Sequence, residues 1–260
     1  MGKIVFISGT DTGAGKTVLT GLLLAHLRAT GVHALAMKPF CSGPRDDAKL
    51  LFELNEGELP IGILNPFYFR RPLAPLVAAR LERRQVSLKH TIAKIGEIQK
   101  KCDVLIVEGA GGIFVPLGER FMVSDLIARL HCHIFLVARN GIGVINHVLL
   151  SAAAIRRLVK MQTTVVLMGR PRGDVSVQSN PALLRELLPQ NEVFEVPVLK
   201  ARLNRADVIR RQAKVHEQLL NKLVTSSSLS PGFPRKSGGP GKVPTLLTEV
   251  SKTLQCRPAP

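Results

Sequence analysis

Apolar residues along the chain alternate between short continuous runs and longer stretches with the spacing of a helix. Continuous runs of about four to eight apolar residues are typical of strands buried on both faces of a parallel sheet. Such runs cover residues 3–8, 33–38, 103–107, 133–138, 163–168 and 192–196. Helical spacing covers residues 17–30, 46–54, 74–84, 87–101, 123–130, 144–160, 181–188 and 206–223. Repeated units of a strand and a helix predict an α/β fold, with a parallel sheet covered by helices on both faces.

Prolines and a helix-capping residue add two expectations about local structure. Prolines punctuate residues 65–75, which are therefore expected to be irregular. Asp46 is the expected N-cap of the helix over 46–54, because a carboxylate oxygen accepts hydrogen bonds from the free amides of a first helical turn.

The composition of the chain changes near residue 225. Residues 225–260 are basic and rich in Ser, Gly and Pro, and such a segment buries too little apolar surface to offset the entropy of ordering it. We predict one domain over residues 1–224 and a mostly disordered tail over 225–260, with helical spacing around 246–254.

The overall composition indicates a globular protein of the cytoplasm. Hydrophobic residues make up 45% of the 260 residues, which is enough for a core and excludes global disorder. No apolar run approaches the roughly 18 residues that a membrane-spanning helix needs, and the N-terminus lacks a signal-peptide cleavage pattern. The four cysteines show no CxxC spacing, which indicates reduced thiols.

The net charge of +17 suggests an anionic partner. The basic residues are scattered along the chain, however, and aromatic residues make up only 4% of it, so a base-stacking platform for nucleic acid is not indicated. We expect small anionic substrates and a solvated basic surface, without a nucleic-acid or membrane partner.

A glycine-rich segment joins the first strand to the first helix. Residues 9–17 read GTDTGAGKT, and small residues at this position let the backbone wrap phosphate groups at a helix N-terminus. Lys16 is expected to neutralise the β- and γ-phosphates, and the Thr17 hydroxyl is expected to bind Mg²⁺. Thr10 stands where the strict pattern has its first glycine. The alternative, a glycine turn without a ligand, is disfavoured because Gly-Lys-Thr, strand and helix coincide.

Three further charged residues lie after predicted strands or at a helix start. Glu108 follows the apolar run 103–107 and precedes several glycines, so it can hold Mg²⁺ as a Walker-B acid does. The alternative for Glu108 is a solvated strand-end carboxylate. Lys38 ends the second strand and Asp47 lies in a first helical turn, where the helix dipole favours an acid. The pattern alone does not choose between a structural and a functional role for Lys38 or Asp47.

Several segments taken together resemble the dethiobiotin synthetases of biotin biosynthesis. They are GTDTGAGKT, KPFCSG, Asp47-Ala48, EGAGG and the GIGVINH of residues 141–147, and the likeness covers about residues 3–200. The resemblance implies a P-loop NTPase-like three-layer sandwich with a mostly parallel sheet. It also implies ring closure of 7,8-diaminopelargonic acid with CO₂ and Mg-ATP, through a carbamate and a carbamic-phosphoric anhydride, to dethiobiotin, ADP and phosphate.

The resemblance assigns roles to individual residues. The catalytic lysines are Lys16 and Lys38, and the oxygen ligands of magnesium are Thr17, Asp47 and Glu108. The nucleotide-binding set is Gly13, Ala14, Gly15, Lys16, Thr17, Val18, Asp47, Glu108, Gly109, Ala110, Gly111, Pro197, Val198 and Leu199. The substrate set is Thr10, Thr12, Ser42 and Asn146. The resemblance further implies a homodimer, in which residues 141–146 receive the substrate carboxylate across the interface.

The chain departs from the family pattern at the expected base-binding loop. Family members often carry Asn-Asp after the strand at 163–168, where the Asn binds adenine, whereas this chain has Gly169 and Arg170. The resemblance therefore leaves the nucleobase open. The loop over 42–47 is also short, and the tail has no recognised counterpart.

Three other classes of protein are compatible with a P-loop. A partner-regulated ATPase switch of the MinD/ParA type carries a second lysine in this loop, where the chain has Asp11. The cobyrinic-acid amidating enzymes carry a glutaminase domain, for which no room remains. A degenerate homologue that binds nucleotide without turnover is disfavoured by the intact Lys16, Lys38, Asp47 and Glu108.

Overall fold

The computed structural model describes residues 1–159, 163–199 and 203–227. The chain divides into two compact units, Met1–Leu229 and Ser230–Pro260, and the second lies wholly outside the described residues. The expectations for most of the tail, including helical spacing around 246–254, therefore fall on residues that are not described.

The described residues contain ten strands, ten α-helices and one 3₁₀ turn. The strands are β1 Lys3–Gly9, β2 Ala34–Met37, β3 Phe40–Ser42, β4 Phe67–Phe69, β5 Val104–Gly112, β6 Pro116–Gly118, β7 Phe121–Met122, β8 His133–Arg139, β9 Thr163–Met168 and β10 Glu192–Val196. The helices are α1 Lys16–Ala29, α2 Asp46–Leu54, α3 Ile61–Leu64, α4 Pro75–Leu81, α5 Leu88–Gln99, α6 Val123–Leu130, α7 Val144–Leu158, α8 Asn180–Leu187, α9 Ala206–Val215 and α10 Glu217–Ser226. The 3₁₀ turn is Val175–Gln178.

Six strands form one parallel sheet in the order β10-β9-β8-β1-β5-β2. The side chains of β1, β5 and β8 are buried on both faces for most of their length, as the continuous apolar runs predicted. Phe6 on β1 and Phe135 on β8 have no exposed surface. The predicted mostly parallel α/β architecture is confirmed.

Three local predictions differ from the structure. Asp46 is the first residue of α2, not its cap, and Arg45 occupies the cap position without a side-chain hydrogen bond. Residues 65–75 contain β4, which pairs with β3 while the rings of Phe40 and Phe67 stack at 4.8 Å between centroids. Strand β5 does not stop before Glu108 but continues to Gly112, because after an irregularity in the register Gly112 still pairs with Gly9 of β1.

The C-terminal helical region also differs from its prediction. The single helix expected over 206–223 is divided at His216 into α9 and α10. Helix α10 continues to Ser226, past the predicted domain boundary at residue 224, and the side chains of Leu223 and Val224 are buried. The division of the chain at residue 224 otherwise stays a prediction.

The carboxyl ends of all six sheet strands lie at one edge, because the strands are parallel. Loops at the carboxyl ends of open parallel sheets are where such folds bind ligands. The chain therefore brings residues 9–17, 38–47, 108–112, 139–146, 169–174 and 197–199 to the same side. Within the described residues, no helix is long and apolar enough to cross a bilayer.

Candidate active site

The phosphate loop lies between β1 and α1. Gly13 and Gly15 adopt left-handed conformations, with φ of 71° and 101°. A Cβ atom on Gly15 would also lie 2.9 Å from Cγ of Met168, so the loop packs directly against the end of β9. The Lys16 ammonium donates to the carbonyl oxygen of Asp11 at 2.9 Å, inside the curve of the loop. The predicted loop is thus formed, with its lysine close to its backbone.

Lys38 joins two carboxylates that come from different parts of the chain. Its Nζ donates to Oε1 of Glu108 at 2.5 Å and to Oδ2 of Asp47 at 2.7 Å. The Thr17 hydroxyl donates to the same Oε1 of Glu108 at 2.7 Å. The Glu108 side chain is fully buried and that of Lys38 nearly so, whereas Asp47 is half-exposed. One hydrogen-bonded cluster therefore contains four of the residues proposed from the sequence.

The cluster shifts the pKa values of its members. Burial alone would lower the pKa of Lys38, but the charges of Glu108 and Asp47 outweigh it and raise that pKa. Burial would raise the pKa of Asp47, but the charge of Lys38 and the hydrogen bond from it lower that pKa. For Lys16, burial dominates and lowers the pKa to about 8. Lys38 is therefore a fixed cation at neutral pH, and Lys16 is the more easily deprotonated lysine.

The oxygen atoms of the cluster fit a hard divalent cation. Thr17, Asp47 and Glu108 offer one hydroxyl and two carboxylates, the ligand types that Mg²⁺ prefers. Within the described residues, Oε2 of Glu108 is buried without a hydrogen-bond partner, which leaves a full acceptor for a cation. Uncompensated burial of a carboxylate oxygen is costly, so the atom needs such a partner.

The glycine stretch at the end of β5 lies against the phosphate loop. A Cβ on Gly109 would lie 2.8 Å from the ring of Phe6, and one on Gly112 would lie 3.2 Å from the carbonyl oxygen of Thr10. Gly111 has φ of 63°, and its Cβ position is 3.6 Å from the Thr12 hydroxyl. The structure thus places Gly111 beside Thr12 and Gly112 beside Thr10; the binding roles of residues 109–111 stay predictions.

Ser42 and Asn146, both predicted to bind substrate, lie in different settings. Ser42 ends β3, and its hydroxyl oxygen is buried without a hydrogen-bond partner among the described residues. Asn146 is exposed in the first turn of α7. Among the described hydrogen bonds, none joins Asn146 to the Lys38 cluster or to the phosphate loop, and its binding role stays a prediction.

The predicted base-binding segment packs on the loop after β9. A Cβ on Gly169 would lie 2.8 Å from the backbone nitrogen of Val198 and 2.9 Å from the carbonyl carbon of Pro197. Val198 is partly exposed and Leu199 is buried. Because this approach is between backbones, the position of Gly169 admits no side chain without displacement of residues 197–198.

Two site features were missed by sequence reasoning. Arg139, at the end of β8, donates from Nη2 to the carbonyl oxygen of Gly13 at 2.6 Å. Asp174 accepts from Arg170 Nη2 at 2.7 Å and from the backbone amide of Ile142 at 3.0 Å. The signal for Arg139 was present, since it is the charged residue that ends an apolar strand at the ligand-binding edge. Asp174 had no comparable signal, because its partners depend on how two loops meet.

Comparison with known proteins identifies the family. The AAA domain family model matches residues 3–212. The ATP-dependent dethiobiotin synthetase of Anaeromyxobacter sp. (strain Fw109-5) is 37% identical over 224 residues, which cover 84% of this chain and 98% of the relative. The chain belongs to the ATP-dependent dethiobiotin synthetase family. The synthetases of Bacillus licheniformis and Bacillus subtilis (strain 168) are 40% and 36% identical over 188 residues, covering 70% of this chain and 80% and 81% of those relatives.

Solved structures of other families share the fold of this synthetase chain. A chain of the MinC:MinD cell division protein complex of Aquifex aeolicus superposes with a TM-score of 0.55 at 14% identity, covering 91% of this chain and 100% of that one. A pNOB8 ParA structure gives 0.54 at 12% identity, covering 88% and 99%. At such identities the likeness shows the P-loop NTPase-like fold alone. The synthetase relatives are much closer in sequence, which decides against the MinD/ParA-type alternative.

Proposed function

We propose that the chain is an ATP-dependent ligase that closes the ureido ring of dethiobiotin from 7,8-diaminononanoate and CO₂. The observation that carries the proposal is the buried Lys38, held between Glu108 and Asp47 at the edge where the phosphate loop ends. A fixed cation in a water-poor site stabilises charge that develops during phosphoryl transfer. The family assignment supports the ATP dependence and the product.

The reaction divides into three steps. One substrate amine attacks CO₂, which forms a carbamate and releases a proton. A carbamate oxygen attacks the γ-phosphorus of ATP, which forms a carbamic-phosphoric anhydride and releases ADP. The second amine then attacks the carbonyl carbon, phosphate leaves, and the ring closes with loss of a second proton. Each charged oxygen that forms or moves needs nearby positive charge.

The residues of the chain supply that charge and the positioning. The backbone of residues 13–18 binds the triphosphate, and Lys16 and Lys38 bring two ammonium groups to the carbamate and the transferred phosphoryl group. Thr17, Asp47 and Glu108 would hold magnesium, which when bound neutralises negative charge on the phosphate oxygens. Thr10, Thr12 and Ser42 line the diamine pocket, a role supported for Ser42 by its buried hydroxyl oxygen, which has no hydrogen-bond partner in the described part of the chain.

A homodimer would complete the site. Asn146 lies on a face that carries exposed apolar side chains, with Ile142 85% and Leu150 63% exposed. Val175 is 93% exposed, and it follows Asp174, which bonds to the Ile142 amide. Contiguous exposed apolar residues favour contact with another protein surface. We infer that a second copy covers this face and that residues 141–146 receive the substrate carboxylate across the interface.

The nucleobase is proposed to lie beside Pro197, Val198 and Leu199. Gly169 provides no side chain to bind a base, and its close contact with Val198 leaves no room for one. Selectivity would then depend on backbone groups and shape at this position. The cytoplasm, and the absence of nucleic-acid or membrane partners, stay predictions from the sequence.

The decisive experiment is turnover with defined substrates. The purified chain is incubated with 7,8-diaminononanoate, ¹³C-bicarbonate and Mg-ATP, and dethiobiotin is detected by mass. We expect dethiobiotin with the label in its ureido carbonyl, together with ADP and phosphate. ATP hydrolysis without labelled product would contradict the proposal. Parallel reactions with GTP and CTP determine the base selectivity.

Glu108→Gln tests the magnesium assignment. The amide keeps the shape of the side chain but removes the charge that a cation needs, so the Mg²⁺ concentration for half-maximal turnover should rise by about tenfold or more, equivalent to about 1.4 kcal/mol. Glu97→Gln is the control, because Glu97 is an exposed residue of α5 that pairs with Lys94. An unchanged magnesium dependence in Glu108→Gln would remove Glu108 from the ligand set.

A further inference from the structure

Arg139 lies beside the phosphate loop because of the register of the sheet. Strand β8 pairs with β1 on the side opposite β5, and Gly9 lies opposite Val137. Arg139 is the last residue of β8 and therefore extends past the end of β1, where the loop begins. None of the roles described above uses this residue.

The Arg139 guanidinium contacts the loop backbone at Gly13. Nη2 donates to the carbonyl oxygen of Gly13 at 2.6 Å, a short and charge-assisted bond. A Cβ on Gly13 would lie 3.0 Å from the same nitrogen, so the two groups are closely packed. Within the described residues Arg139 has no carboxylate partner, unlike Arg28, Arg80, Arg170 and Arg185.

This contact fixes the direction of one peptide group. The peptide bond is planar and trans, so the carbonyl of Gly13 and the amide of Ala14 point in opposite directions. Gly13 has φ of 71° and no Cβ, so sterics alone allow the neighbouring peptide more than one orientation. While Arg139 holds the Gly13 carbonyl, the Ala14 amide points away from the guanidinium. Within the described residues, that amide donates to no protein acceptor.

We propose that Arg139 is a positioning residue for nucleotide binding: it holds the Gly13–Ala14 peptide so that the Ala14 amide faces the phosphates. A flipped peptide would instead present a carbonyl oxygen to the triphosphate and repel it. Loops of this class bind phosphate through converging backbone amides, so the orientation of each peptide matters. The inference rests on the proposed function in requiring a nucleotide at this loop.

Arg139→Met and Arg139→Lys test the role. Loss of a charge-assisted hydrogen bond corresponds to about a tenfold to hundredfold change in binding. We expect Arg139→Met to raise the KM for ATP and the Kd for both ATP and ADP by that factor, because the loop contacts phosphates common to both. Turnover at saturating ATP and the KM for the diamine should be unchanged. Arg139→Lys, which keeps one charged donor, should be intermediate.

The control variant is Arg185→Met. Arg185 is also exposed and also donates to a backbone carbonyl, that of Val193, but it lies on α8. We expect its nucleotide affinity to be that of the wild type. In Arg139→Gly, added guanidinium ion at millimolar concentration should restore ATP affinity in part, which a loss of folding would not allow.

Three outcomes overturn the proposal. Weakened binding of ATP with unchanged binding of ADP would show that Arg139 contacts the γ-phosphate directly. A lower turnover with unchanged affinity would place it in the chemical step, and wild-type affinity in Arg139→Met would remove it from the site. A wild-type chain that binds no nucleotide would instead sink the proposed function.

Discussion

The two halves of the sheet edge are built in different ways. Around β1, β2 and β5, charged side chains make the contacts, with Lys38 bonded to Glu108 and Asp47. Around β9 and β10, backbones approach each other, with Gly169 packed on residues 197–198. The first half is specified by the chemistry of individual side chains and the second by the space between chain segments. Substitutions in the first half should therefore mainly lower turnover, and substitutions in the second half should mainly lower the free energy of unfolding.

Lys38→Ala should have the largest effect, and mainly on chemistry. Loss of the ammonium group removes charge needed at the transferring group, so turnover should fall about a hundredfold to a thousandfold while ATP binding changes little. The Thr17 hydroxyl still donates to Glu108, but this buried carboxylate loses its cation, so the free energy of unfolding should decrease by about 3 kcal/mol. Steady-state kinetics and ATP titration separate the two effects.

Lys49→Ala is the matched control, because Lys49 is an exposed lysine of the neighbouring helix α2. It should keep wild-type turnover. Unchanged turnover in Lys38→Ala would refute the role of Lys38 at the transferring phosphoryl group.

Gly169→Ala tests the other half, where stability should change. The new Cβ would lie within 3.0 Å of backbone atoms of Val196, Pro197 and Val198, so the segment must move. We expect the free energy of unfolding in urea to decrease by about 1–3 kcal/mol. Gly96→Ala is the control, since Gly96 is a helical position of α5 with open space around it, and should stabilise by about 0.5–1 kcal/mol. An equal change in the free energy of unfolding in Gly169→Ala and Gly96→Ala would contradict a close backbone contact at Gly169.

Asp174→Asn should give a smaller, pH-dependent effect. Hydrogen bonds from the Ser176 hydroxyl and the Ile142 amide, with Arg170 nearby, hold the pKa of Asp174 well below its usual range. A depressed pKa contributes stability above the unfolded-state pKa and loses it as the pH falls. The urea midpoint of the wild type should therefore exceed that of Asp174→Asn at pH 6, and the difference should shrink below about pH 4. A difference that stays constant from pH 6 to pH 3 would count against this linkage.

Removal of the residues after Ser227 should have the smallest effect on either half. A chain ending at Ser227 keeps all of α10 and should retain wild-type turnover. A chain ending at Leu219 removes Leu220, Leu223 and Val224 from the core, and each large apolar side chain lost costs about 2–5 kcal/mol. Thermal unfolding and dethiobiotin formation are measured for both. Loss of activity in the longer of the two chains would assign the tail a role in the site.

Part of the first half, around β1, β2 and β5, could be predicted because the types of its residues already indicate the chemistry of the site. Lys16 and Thr17 at the helix start and Glu108 after a strand indicate a phosphate and metal site by their pattern, whereas the roles of Lys38 and Asp47 were implied only by the resemblance to the family. Parallel strands bring their carboxyl ends together, so Thr17, Lys38 and Glu108 were expected to be neighbours. The structure adds that they share hydrogen bonds, which spacing in the sequence does not specify.

In both halves, features that depend on strand pairing or on loop conformation were less predictable. Strand β4 was missed because three residues among prolines give little pattern, and its partner β3 supplies the pairing. The end of β5 was misplaced because Gly109, Gly111 and Gly112 weaken strand propensity, while pairing with β1 offsets this. Asp174 and Arg139 find their partners only when separate loops fold against one another.

The sequence by itself determined the order along the chain of the six strands of the main sheet and of the longer helices, together with the phosphate loop and the identity of its charged residues, because these follow from local patterns and side-chain chemistry. Tertiary structure alone decided that Lys38 lies between Glu108 and Asp47, that Gly169 contacts residues 197–198, and that Arg139 holds the Gly13 carbonyl. Those contacts join residues far apart in the chain, and their geometry depends on how the whole sheet packs.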